Sequence, residues 1–143
     1  MIITHAFTLC PLYVEAILRY GKDVENRSWK LPEEYIGQPL ALHAGNRNPE
    51  RPEINIFAKP MLDFIDRIVP DELPRGGIVG WIRFDRPVKL FPSPWAVGEL
   101  WHWPILEAHR FPESIPCGGK LMVWPLPESI HGGKIEVQEV CNG

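Results

Sequence analysis

Sixteen prolines and twelve glycines punctuate this chain of 143 residues, about a fifth of its length against an ordinary share of roughly an eighth. Proline lacks an amide hydrogen and fixes its φ, and glycine favours turns, so long uninterrupted helices are excluded and short strands joined by tight turns are expected. The chain is still 45% hydrophobic, enough for one core without staples, and its length corresponds to a single domain spanning residues 1–143.

Charge narrows the choice of partner. Fifteen lysines and arginines against eighteen acidic residues give a net charge of −3. No broad positive field surrounds such a chain, so any grip on nucleic acid must be local rather than a long run of phosphate contacts. Cys10, Cys117 and Cys141 show neither C-x-x-C pairing nor regular spacing, which fits a reducing, cytoplasmic setting. No apolar run approaches the ~18 residues of a membrane helix, and no basic-then-apolar leader opens the sequence, so a soluble protein without a membrane partner is expected.

Ile2 to Leu9, rich in β-branched and aromatic residues and closed by Pro11, reads as a first strand. Val14, Ile17 and Leu18 then give a short helical stripe, with Gly21 where a helix would stop. From Val24 the chain reads as extended, which puts Glu25, Arg27 and Trp29 on one face and Val24, Asn26 and Ser28 on the other. In Gln38 to Ala44, Leu40, Leu42 and Ala44 share a face and His43 points the other way. Residues 45–53 form a polar loop, and Ile54 to Ile68 follow a helical period that Pro60 interrupts, predicting a kink or two short helices.

Ile78 to Phe84 reads as a buried strand, and Leu100 to Leu106 and Lys120 to Trp124 as two more, with Pro104 demoting the former to an edge or a bend. Lys134 to Val140 alternates briefly. Five to seven short strands with two helices amount to an α+β unit whose sheet curls into a small barrel. Trp81, Trp95, Trp101, Trp103 and Trp124 are assigned to the core rather than to a stacking platform.

Gly21-Lys22-Asp23-Val24-Glu25-Asn26-Arg27 carries the pattern G-x-K-x-x-E-x-R in degenerate form and resembles the signature of the ASCH domain family, a branch of the PUA-like superfamily. Leu42-His43-Ala44-Gly45, Gly76-Gly77-Ile78-Val79-Gly80 and Ile115-Pro116-Cys117-Gly118-Gly119-Lys120 are similar to later family segments, so the resemblance spans about residues 3 to 126. It implies a small PUA-like β-barrel with two or three flanking helices and a cleft beside the signature that accepts RNA or a nucleotide-like ligand.

The residues themselves suit such a ligand. Lys22 offers a point charge, Arg27 a planar fork for phosphate or carboxylate, and Trp29 a face on which a base can stack. Glu25 either orients Arg27 by ion pairing or accepts protons from a base edge. His43 reads either as a hydrogen-bonded structural histidine or as a further ligand contact. The alternative for Lys22, Glu25 and Arg27 is an exposed strand face with a salt bridge worth roughly 0–1 kcal/mol.

Two enzymatic alternatives stand beside binding. Some ASCH proteins are amidohydrolases acting on N4-acylated cytidine-type nucleosides with a lysine, a threonine nucleophile and a glutamate. Lys22 matches the lysine, but Glu25 occupies the threonine's position, so Glu25 would have to activate a water while Lys22 polarises the carbonyl. The third reading is a ribonuclease using the same Lys22, Glu25 and Arg27. No phosphate-loop pattern, metal-ligand spacing or G-x-S-x-G elbow is present, so neither a metal nor another cofactor is expected.

Overall fold

The alternation of apolar and polar positions sets the strands, and the prolines set where their partners change. The computed structural model describes residues 1–47, 59–67 and 72–138. Among them eight strands occur in the order β1 (Ile2–Ile3), β2 (His5–Leu9), β3 (Val24–Arg27), β4 (Leu40–Ala44), β5 (Gly77–Phe84), β6 (Trp101–Pro116), β7 (Val123–Pro125) and β8 (Ile135–Glu136). Helix α1 (Pro11–Arg19) joins β2 to β3, and α2 (Lys59–Ile65) lies between β4 and β5. The architecture is thus α+β, with eight strands where five to seven were expected. No helix among the described residues is long and apolar enough to cross a membrane.

Six strands form one sheet in the order β3-β6-β5-β4-β2-β7, and β1 pairs with β8 in a second, two-stranded sheet. The expected first strand divides at Thr4, whose carbonyl accepts the Leu126 amide (2.9 Å) between the β1 and β2 ladders. The largest departure from the sequence reading is β6, sixteen residues long and interior to the sheet. Its prolines sit where the ladder does not need an amide. Pro104 marks the point where β6 leaves β3 for β5, and Pro112 lies in a bulge between the Ile78–Ile115 and Gly80–Arg110 pairs. Pro104 thus lies at a change of partner within a continuous strand, not at the edge expected as one alternative.

Pro60 occupies the second position of α2, whose buried residues are Met61 and Phe64. Ile54, Phe57, Ala58 and Ile68, which shared the expected helical period, lie outside the described residues, as do Cys141 and the end of the Lys134 to Val140 stretch.

Curling of the sheet follows from its inner contacts. Phe7 on β2 and Trp103 on β6 are three strands apart, about 14 Å in a flat sheet. Their ring centroids are 5.4 Å apart. Arg27 on β3 is four strands from Phe7, about 19 Å if flat, yet its guanidinium carbon lies 4.9 Å from the Phe7 ring centroid. The sheet therefore wraps around a core that includes Phe7, Leu42, Ile82, Phe84 and Trp103. On the outer face Ala6, Ala41, Trp81 and Trp124 pack against Ile3 and Ile135 of the small sheet. Burial on both faces explains why every residue of β4 is buried.

Trp103 is fully buried, touches Phe7, Phe84 and Trp29 edge to face or tilted, and donates its indole N–H to the Trp29 carbonyl (3.1 Å). Trp103→Ala is expected to lower unfolding free energy by about 3–5 kcal/mol in urea denaturation. A loss below about 1 kcal/mol would contradict this account of the core.

Candidate functional site

Gly21 has φ +76°, a conformation that costs a side-chain-bearing residue about 1 kcal/mol or more. The turn lets the amides of Tyr20 and Lys22 both reach the Ala16 carbonyl (3.0 and 3.1 Å) and sends the Lys22 side chain inward. Lys22 is only 4% exposed. Its ammonium donates to the Val24 carbonyl (2.6 Å), lies 5.2 Å from the Tyr13 ring centroid and stands 3.8 Å from Glu25 Oε2. Burial pushes the Lys22 pKa below its ordinary value, and the Glu25 carboxylate opposes that shift.

Glu25 is 2% exposed, and its Oε1 accepts the Asn26 amide (3.0 Å) with Arg27 Nε 3.9 Å away. Glu25 Oε2 and Arg27 Nε are buried without a hydrogen-bond partner among the described residues. Each is held by charge alone, Glu25 Oε2 by the Lys22 ammonium 3.8 Å away and Arg27 Nε by Glu25 Oε1 at 3.9 Å. Asn26, on the opposite face, donates to the Trp95 carbonyl (3.1 Å) and accepts the Val97 amide (2.8 Å), fixing β3 against the 93–97 segment.

Two adjoining clefts open at this seam. The first, about 420 Å³, is lined among others by Thr8, Cys10, Tyr13, Glu25, Arg27 and Arg47. The second, about 300 Å³, is lined by Phe7, Thr8, Arg27, Trp29 and residues 120–122. Thr8 and Arg27 belong to both. Leu121 and Met122, 90% and 57% exposed, leave apolar surface at the mouth of the second cleft opposite Trp29. Cys10 lines the first cleft as a thiol, which burial pushes up to about 11. A separate groove lined by Tyr20, Phe64 and Trp95 lies away from this constellation.

The structure thus brings Glu25 and Arg27 to one cleft and Arg27 and Trp29 to the other, although β3 ends at Arg27 and Trp29 lies in the bend that follows, not on the strand face expected for it. Lys22 lines neither and lies behind Glu25. His43 lines neither as well: it is 1% exposed, its Nδ1 lies 3.2 Å from Thr8 Oγ1 and its Nε2 2.8 Å from the Cys117 carbonyl. Thr8, Arg47, Lys120 and Met122 were not singled out from the sequence. Only the exposed apolar pair Leu121-Met122 beside a glycine turn carried a local signal for any of them. Compared with models of known protein families and with curated proteins, the chain matches none.

Removing one member of a buried ion pair strands the other charge. Lys22→Met alone is therefore expected to cost about 3–5 kcal/mol in urea denaturation, and adding Glu25→Leu should restore a large part of it. A double-mutant coupling of about 1–3 kcal/mol supports the pair, and strict additivity contradicts it.

The pH dependence has a definite sign. Between the lowered folded pKa of Lys22 and its ordinary 10.5, the unfolded chain binds the proton that the folded chain has lost, so stability rises with pH in that window. The stability of the wild type relative to Lys22→Met should accordingly grow as pH approaches 10.5 from below, and a shrinking difference would refute the assignment.

Proposed function

We propose that the seam binds a nucleotide or a short single-stranded RNA segment, and that the chain is an ASCH-type domain on a PUA-like barrel. The observation that carries this reading is the Arg27 guanidinium, its side chain 30% exposed, on the wall that two adjoining clefts share, with the Glu25 carboxylate in one and the Trp29 ring in the other. The solvent-facing part of that guanidinium offers N–H donors to a phosphate oxygen or to a carbonyl or ring nitrogen on a nucleobase edge. Trp29 and Met122 offer apolar faces for stacking.

Arg47 and Lys120, one in each cleft, stand where a phosphate can be neutralised. Volumes of about 420 and 300 Å³ suit one or two nucleotides. The few cations present match the net charge of −3, which disfavours a long duplex. Lys22 in this reading is a positioning residue that holds the Glu25 carboxylate in place. The curled sheet and the order of the sequence segments are what support the family resemblance.

Fluorescence titration with nucleoside 5′-monophosphates and a short single-stranded RNA, at two salt concentrations, tests the proposal. Binding with a shallow salt dependence is expected, and Arg27→Gln and Trp29→Leu should each weaken it by about tenfold or more. Unchanged affinity in both folded variants would remove the site.

A further inference from the structure

We infer that Thr8 and His43 form a nucleophile and general base for the hydrolysis of small carboxylic esters, with Thr8 placed on the wall that the two clefts share. This goes beyond binding and rests on a different observation, the directed hydrogen bonds of the pair. Thr8 and His43 are direct partners in the parallel β2–β4 ladder, so the register itself faces their side chains toward each other. The Cys117 carbonyl can only accept, so His43 Nε2 carries the proton and donates to it (2.8 Å). In the neutral imidazole Nδ1 then holds a lone pair, 3.2 Å from Thr8 Oγ1. Trp124 Nε1–H donates to the same oxygen (2.9 Å), so the Thr8 proton is directed to His43.

The surroundings favour this chemistry. Gly119 passes directly over the pair: a Cβ there would stand 2.6 Å from His43 Cε1 and 2.8 Å from Thr8 Oγ1, so only glycine allows the approach. The β2–β7 ladder ends at Phe7, and Thr8, half-buried beyond that end, lines both clefts. Arg27, its side chain 30% exposed, lines both clefts as well and supplies positive charge for a developing oxyanion.

In the reaction Thr8 Oγ1 bonds to the ester carbonyl carbon while its proton passes to His43 Nδ1, and the carbonyl oxygen takes the displaced electron pair. Collapse breaks the bond to the leaving alcohol, which takes that proton and leaves the acyl group on Thr8. Water then attacks in the same manner, giving its proton to His43, and the acid departs as Thr8 is re-protonated. A carbonyl, unlike a carboxylate, orients the histidine without strongly stabilising its cation, so esters are the substrate class rather than amides.

A stable alkyl fluorophosphonate traps such a hydroxyl, the P–O bond forming as fluoride leaves, and intact-mass spectrometry with peptide mapping locates the adduct. The wild type is expected to carry one adduct on Thr8 and to hydrolyse p-nitrophenyl acetate. Thr8→Val should lose both, Thr8→Ser should keep both, and His43→Gln, which can still donate to the Cys117 carbonyl, should slow labelling by about tenfold or more. No adduct on Thr8 in the folded wild type, or labelling of His43→Gln at the wild-type rate, would overturn the inference. Neither probe carries a base or needs a nucleotide site, so labelling of Thr8 without nucleotide binding would sink the binding proposal alone, and the reverse would sink only this one.

Discussion

The arrangement depends on a sheet that curls until its two edges face one another without pairing. Phe7 draws both sides inward, packing on Trp103 and lying beneath the Arg27 guanidinium, although Arg27 sits at the far edge of the same sheet. A flat sheet would separate these groups by several strand widths, and a fully closed barrel would consume their edge. The intermediate curvature leaves a seam in which β3 supplies charge, the bend after it an aromatic ring, β2 a hydroxyl, and the segment entering β7 a lysine and two exposed apolar side chains.

Burial divides labour within the signature residues. Lys22 and Glu25 are both nearly inaccessible, and a charge pair in such a setting persists because removing either partner is more costly than keeping both. Arg27, with its side chain 30% exposed, is the member that meets solvent. Lys22 therefore anchors the Glu25 carboxylate from behind, and the carboxylate in turn backs a cation that faces the clefts. The asymmetry of the unsatisfied atoms follows, with one acceptor on the carboxylate and one donor on the guanidinium. Asn26 holds the other side of the same strand with both ends of its amide, which keeps the alternation of β3 in register with the seam.

What was legible in the sequence was whatever a period of two encodes. Glu25 and Arg27 alternate on β3 and, with Trp29 in the bend just beyond it, reach the same seam, and Leu40, Leu42 and Ala44 do face the core opposite His43. Helix α1 stops where Gly21 marked it. Residues 107–116 of β6 escaped because Pro104, Pro112 and Pro116 look like breakers, and only the register with β5 shows that each falls at a partner change, a bulge or an end. The inward turn of Lys22 escaped because a flexible side chain after a turn can point either way.

Thr8 escaped for another reason: 35 residues separate it from His43, and a parallel ladder leaves no local signature of who pairs with whom. Position along the chain shows which groups can do chemistry, whereas strand order decides which of them meet.

The central claim is that one ligand is held between two edges of one curled sheet. Amide and indole chemical-shift mapping during titration with a nucleoside 5′-monophosphate measures this directly. Concerted shifts at Arg27 and Trp29 on one edge and at Lys120 to Met122 on the other are the predicted result. Shifts confined to a single edge, or centred on the groove lined by Tyr20, Phe64 and Trp95, would contradict it.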